Sequence, residues 1–295
     1  MTAARFTDVL SRDEIAALTR MSDWRGAWTV AVNWALIAGA FALAAAWPNP
    51  LTIVLAILVL AGRQLGLGII VHDCAHHALF RSRRLNERVG QWLAGVPMNT
   101  SLAKYRSYHL KHHQYAGTPR DPDIGFVKSY PVERLSLRRK FVRDLTGRTG
   151  IRDLRQLLAR FSWGEQGPWV VFHLALFGAL AAAGATWTYA LWWVAYLFVY
   201  PAIVRLRQIG EHGVAADRGE LDPRRNTSTT LARWWERLFV APNHVHYHLE
   251  HHMAATVPPY RLAAMHRLLK ARGFYDGHDC VRRGYGDVLR RAVRA

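Results

Sequence analysis

Four stretches of this 295-residue chain are almost free of charged side chains, and that segregation limits its fold more than any other feature. Trp28–Trp47 carries no charge, Leu51–Val71 carries only Arg63, and Pro168–Trp187 and Thr188–Val204 carry none. About 20 apolar helical residues span roughly 30 Å of hydrocarbon, so each run has the length of a transmembrane helix, the last at the short end. "WPNP" joins the first pair and "GATWT" the second. The expectation is an all-α integral membrane protein. It would have four transmembrane helices in two hairpins, at about 28–47, 51–71, 168–187 and 188–204, and a helical cap on one side.

The charge that the spans lack is gathered between them. All 39 Lys and Arg except Arg63, and all 21 acids, fall in the segments 1–27, 72–167 and 205–295. By the positive-inside rule those segments are cytoplasmic, with both termini inside and a bacterial inner membrane as the setting. The formal net charge of +18 would also suit nucleic acid. Membrane topology accounts for it, so no nucleic-acid partner is expected. Two cysteines are too few for a disulfide framework or a Cys-ligated iron–sulfur cluster. The first apolar run starts too late for a cleaved signal peptide. Before it, "SRDE" at Ser11–Glu14 fits a capping box that opens a short interfacial helix. Arg134–Arg160 mixes Leu, Ile and Phe with many Arg and reads as one or two amphipathic helices on the membrane surface. With no repeat and no linker, residues 1–295 read as a single membrane domain.

Fifteen histidines are distributed as unevenly as the charges. They crowd into "HDCAHH" (His72–His77), "HLKHH" (His109–His113) and "HVHYHLEHHM" (His244–Met253). Protonated imidazoles repel, so packing alone does not explain the clusters. His72 lies about 32 Å of helix beyond Leu51, and His212 in "RQIGEHG" about 38 Å beyond Trp187. Two spans thus deliver histidines to similar depth, just past the cytoplasmic edge of the bilayer. His76 shares the helix face of His72. His109, His112 and His113 are spaced i, i+3, i+4, as are His248, His251 and His252, so each set projects from one helix face. These nine residues are the candidate metal ligands. Nine nitrogens exceed what one ion takes, whereas two ions would each receive four or five and keep open positions. Imidazole suits Fe, Zn, Cu and Ni, so ligand type leaves the metal open. His77 lies about 100° round the helix from His76 and is either near the metal or structural. His244 and His246 are not expected as ligands, and His266 and His278 read as ordinary. Arg63 is the one charged side chain within the spans and His173 the one histidine. Each either lines a substrate path or is paired within the protein interior.

"HDCAHH", "HLKHH" and "HYHLEHH" resemble, in order and spacing, the three histidine boxes of the membrane fatty acid desaturases, and the similarity runs from about Ala61 to Leu269. The resemblance implies a four-span fold whose cytoplasmic cap holds two iron ions over an acyl-chain tunnel. The ligands would be His72, His76, His109, His112, His113, His212, His248, His251 and His252, with His77 a possible addition. Gln208, four residues before His212, would hold a metal-bound water. Asp73, Glu211, Glu250, Asp121 and Asp123 adjoin these positions and would orient imidazoles through their second nitrogen. Their alternative roles are helix capping and pairing with Arg. The implied reaction is O2-dependent attack on an unactivated C–H bond of a lipid acyl chain, as in a desaturase. A hydroxylase or ketolase of the same superfamily, acting on a lipid or other hydrophobic substrate, carries the same motifs. Cleaving such a bond needs a metal, because no side chain does it. With no CxxC pair and nothing like a fused electron-transfer module, electrons would come from a separate ferredoxin- or cytochrome-type donor docking on the basic cap. A metal transporter would instead place its ligands inside the spans, and a zinc hydrolase would hold a single ion.

Overall fold

A computed structural model describes residues 5–217, 219–220 and 222–294. Apart from one two-residue parallel pairing, Thr229–Thr230 with Val281–Arg282, and an isolated bridge at Val132 and Val293, these residues are helical or irregular. The helices named below are α1 (Arg12–Thr19), α2 (Asp23–Ala46), α3 (Pro50–Ala75), α4 (Leu102–Tyr115), α5 (Arg134–Leu145), α6 (Arg148–Ala159) and α7 (Trp163–Ala182). They are followed by the composite helix α8 (Thr186–Gly213), then α9 (Trp234–Phe239), α10 (His248–Met253) and α11 (Pro259–Ala271).

Three helices among the described residues are long and apolar enough to cross a membrane: α2, α3 and α8, with 24, 26 and 28 residues. At 1.5 Å per residue they measure about 36, 39 and 42 Å. The tight link between α2 and α3 follows from local chemistry. Asn49 accepts from the backbone N–H groups of Leu51 and Thr52, and Pro50 at the first helical position gives up no hydrogen bond. The expected pair of hairpins with four spans is therefore not what forms. α7 contains most of the expected third span, but its first turn carries Glu165 and Gln166, and its middle carries His173. The apolar remainder, Trp169–Ala182, is about 21 Å long, well short of the hydrocarbon thickness. Conversely, α8 runs nine residues beyond the expected end at Val204, through Arg205, Arg207, Glu211 and His212. An uncharged run and a helix thus have different ends, because intrahelical hydrogen bonds continue through charged residues wherever these find partners.

The basic stretch at 134–160 forms two helices, α5 and α6, broken at Gly147, whose φ of +77° lies in the left-handed region. The corner is pinned to α8. Gly147 and Gly150 approach Phe198 and the Leu197 backbone so closely that a Cβ would come within 2.7 and 2.4 Å of them. Buried Asp144 accepts from Thr149 Oγ1 at 2.5 Å and from Arg205 Nη2 at 3.0 Å, with Arg205 Nε a second donor. At the N-terminus, Ser11 and Glu14 form the expected capping box on α1. The Glu14 carboxylate accepts from Arg272 Nη2 at 2.6 Å, tying α1 to the end of α11.

Removing the carboxylate at Asp144 leaves Arg205 without its main partner. We expect Asp144→Ala to cost about 3 kcal/mol. In detergent this is read as a fall of roughly 6–12 °C in the thermal unfolding midpoint.

Candidate metal centre

Four elements from distant parts of the chain meet at one point. α3 ends at Ala75, presenting His72 from its last turn and His76 from its C-cap position. α8 ends in a π-helical segment, Ile209–Gly213, which holds His212. α4, opened by Ser101 accepting from the Lys104 N–H, contributes His109, His112 and His113, and the six-residue α10 contributes His248, His251 and His252.

The nine imidazoles sort into two groups. His72, His76, His109, His113 and His251 form one, and His112, His212, His248 and His252 the other, with the ligand atoms of each group within 4.8 Å of one another. The groups adjoin, since the rings of His113 and His252 stack with centroids 4.2 Å apart. Several Nε2 atoms face each other: His113 and His109 at 3.1 Å, His251 and His113 at 3.0 Å, His248 and His212 at 3.0 Å. The Nε2 atoms of His72, His76 and His252 are buried with no hydrogen-bond partner.

Electrostatics keeps most of these rings neutral. Burial, followed by the charge of Arg106, pushes His76 down to about 4. Burial and the neighbouring histidines push His113 to about 2 and hold His109, His248, His251 and His252 well below the usual range. A neutral imidazole offers a lone pair to a metal ion, and here the Nε2 atoms converge, three of them with no other partner. The residues therefore fit a pair of metal ions. His112 differs: burial pulls it down, but its hydrogen bond to Asp121 and the charge of that carboxylate outweigh burial and raise it.

Three of the second nitrogens are hydrogen-bonded from outside and a fourth faces a carboxylate, which fixes the orientation of those rings. His72 Nδ1 meets Asp73 Oδ1 at 2.8 Å, and His112 Nδ1 meets Asp121 Oδ1 at 2.8 Å with Asp123 Oδ2 at 3.7 Å. Asp121 is itself fixed by the N–H groups of Gly117 and Asp123. His248 Nδ1 lies 3.4 Å from Glu211 Oε1, which also accepts from Arg207 at 3.0 Å. His212 Nδ1 donates to the Asn226 carbonyl at 3.1 Å, a contact that no local pattern signals because the two lie 14 positions apart.

The remaining candidates sit elsewhere. Glu250 turns away from the imidazole groups. It accepts from His266 Nδ1 at 2.6 Å, from Tyr275 Oη at 2.5 Å and from Thr229 Oγ1. The i+2 position in "HLEHH" faces away from the histidine stripe, and that was the available signal. His266, read as ordinary, is buried in this network. His77 ends α3 with φ +53° and has its Nε2 3.7 Å from Glu87, in neither group. Gln208 is half-buried at the junction where α8 turns from α-helical to π-helical, and that change of pitch alters its relation to His212. His246 donates from Nδ1 to the Thr230 carbonyl at 3.0 Å. His173 is buried among Trp169, Phe172, Trp192 and Trp193, with Nδ1 3.1 Å from Tyr189 Oη. Arg63 is bonded to backbone carbonyls near α9. A cleft of about 650 Å³, lined in part by Trp92, Val96, Tyr105, Tyr108 and Trp169, reaches the site through Tyr105, whose ring stacks on His109 at 5.3 Å.

The sequence profile of the family described as fatty acid desaturase matches residues 48–285. The chain belongs to this family. A dihydrorhizobitoxine desaturase from Bradyrhizobium elkanii is 25% identical over 256 residues, covering 80% of this chain and 72% of the relative. A beta-carotene ketolase from Paracoccus sp. (strain N81106 / MBIC 01143) is 27% identical over 221 residues, covering 72% of this chain and 79% of the relative. A second beta-carotene ketolase, from Paracoccus sp. (strain PC1), is 37% identical over 78 residues, covering 26% of this chain and 32% of the relative. Relatives of this chain thus carry both desaturase and ketolase names.

Two substitutions separate the ring-orienting contacts from their neighbours. Asp121→Ala should weaken metal binding by about 10–100-fold in competition with a chelator. His77→Ala should retain full metal content, and loss of metal from it would place His77 among the ligands after all.

Proposed function

We propose that this family member is a di-iron, O2-dependent oxidoreductase that attacks an unactivated C–H bond of a lipid acyl chain, with desaturation as the leading reaction. The observation that carries the reading is the convergence of nine imidazoles, in groups of five and four, at one end of two long apolar helices. His72, His76, His109, His113 and His251 would hold one ion, and His112, His212, His248 and His252 the other. When bound, the pair of irons supplies O2 activation and the electron acceptor that C–H cleavage requires.

The protein's own residues hold that chemistry in place. Asp73, Asp121, Glu211 and the Asn226 carbonyl engage Nδ1 of their histidines and aim Nε2 inward. Neutral ligands leave the positive charge of the ions uncompensated, unlike carboxylate-rich sites. The cleft beside Tyr105 offers an apolar approach for a long hydrophobic substrate, with the Lys104–Glu165 ion pair, at 2.6 Å, on its lining. Electrons would arrive from a separate ferredoxin- or cytochrome-type donor, attracted by the basic cap. The cap would face the cytoplasm, because the Lys and Arg residues gather there. Residues 1–295 are read as one domain.

The ketolase names among the relatives favour a second reading, oxygen insertion on an isoprenoid or other hydrophobic substrate. Mass spectrometry of lipids from a host that makes both acyl lipids and carotenoids separates them. Desaturation removes two hydrogens, whereas hydroxylation or ketolation adds oxygen. We expect about two irons per purified chain. We also expect His109→Ala and His251→Ala to abolish product while the protein still inserts in the membrane. Full activity in the His251 variant, or one tightly held zinc and no iron, would falsify the di-iron reading.

A further inference from the structure

Arg63 is the one charged side chain in the apolar run Leu51–Val71, and the imidazole groups do not use it. It is 4% exposed. Its Nη2 donates to the carbonyls of Leu238 at 2.6 Å and Arg237 at 3.2 Å, in the last turn of α9. A cation is favoured there, where helix carbonyls lack intrahelical partners. Nη1 lies 3.5 Å from Asn33 Oδ1. Asn33 Nδ2 in turn donates to Asn243 Oδ1 at 3.0 Å, and Asn243 Nδ2 donates to the Gly66 carbonyl at 2.8 Å. α9 and the turn after it are thus tied to the middle of α2 and α3.

Two features set where this lies relative to lipid. Asn33 is five residues beyond Trp28, the start of the uncharged run in α2, and so about 8 Å deeper. On α3, Leu51, Leu55 and Leu58 form an exposed stripe, and Gly62 is the next position along it. At Gly62 a Cβ would meet the Leu238 carbonyl oxygen at 2.7 Å and Phe239 Cα at 3.0 Å. The end of α9 therefore lies on the same face of α3 that is otherwise bare, and absence of a side chain at Gly62 permits it. Irregular backbone at such depth must have its polar groups satisfied by protein, which is what Arg63 and Asn243 do. The outer surface of α9 suits the boundary of a bilayer. Trp234 is 72% exposed and Trp235 40%, and Trp gathers at that level. Arg233 and Arg237 are exposed and long enough to reach phosphates, while Glu236 is buried and accepts from the Arg233 and Tyr285 N–H groups.

We propose that Leu231–Phe239 is a wedge that inserts into the headgroup–acyl boundary of the lipid bilayer, seated on Gly62 and clamped by Arg63. Its tether on α2 lies about 8 Å into the uncharged run, in the range of interfacial helices, and its seat on α3 lies about 15 Å of helix before His72. The inference is independent of the metal centre and of the reaction.

The test is depth measured by spin-label power saturation, with oxygen and a water-soluble nickel complex, in vesicles of phosphatidylcholine and phosphatidylglycerol. The native Cys74 and Cys280 are buried, so a label is directed to Trp234→Cys. Leu58→Cys serves as the lipid-facing reference and the exposed Lys111→Cys as the water-facing one. We expect the Trp234 label to fall between the two references, with an oxygen-to-nickel accessibility ratio several-fold above that at Lys111 and below that at Leu58. Arg63→Gln and Gly62→Leu should each lower the ratio at 234 several-fold and leave Leu58 unchanged. A water-type ratio at 234 in the otherwise native protein overturns the wedge. A lipid-type ratio that survives both substitutions overturns the clamp and seat. Should Arg63→Gln fail to insert, the native label still decides the wedge and Gly62→Leu its seat.

Discussion

Nine imidazoles pressed into one buried volume are the constraint around which the rest of this protein is arranged. The orphaned Nε2 atoms of His72, His76 and His252 lack the partners that buried polar groups need. A cation between the rings would supply those partners. The cap helices, the acids behind the rings and the ends of the apolar helices serve to hold that arrangement before any ion arrives.

Position comes from length. α3 and α8 both bring a histidine to their last turns, His72 and His212, so helix rise sets a common level. α4 and α10 then close over this platform. Their i, i+3, i+4 spacing makes each a single-faced display of three rings. The corner between α5 and α6, locked on α8 by Asp144, Gly147 and Gly150, keeps the long intervening segment from crowding the site.

The acids illustrate how far proximity in sequence predicts proximity in space. Asp73, Asp121 and Glu211 lie against imidazoles that they were expected to orient. Glu250, between two histidines in the chain, instead organises His266, Tyr275 and Thr229 on the opposite side of α10. Helical periodicity accounts for it: Glu250 lies about 200° round α10 from His248, opposite the stripe formed by His248, His251 and His252. The Asn226 carbonyl behind His212 and the π-helical end of α8 left no mark in composition, because both depend on contacts made across the fold.

Histidine number, box spacing and the uncharged runs are properties of the chain itself, so the helical class, the family and the nine candidate ligands were readable without coordinates. Which helices are long enough to cross a bilayer was not. α7 loses apolar length to Glu165, Gln166 and His173, while α8 continues through charges whose partners come from elsewhere, Arg205 on Asp144 and Arg207 on Glu211. The division of the histidines into five and four, and the seat of Arg63 beneath α9, were likewise decided only by packing. Local patterns record what a residue prefers beside its neighbours in the chain. Where distant segments meet, the partner that satisfies a charge or a lone pair is chosen by the folded structure as a whole.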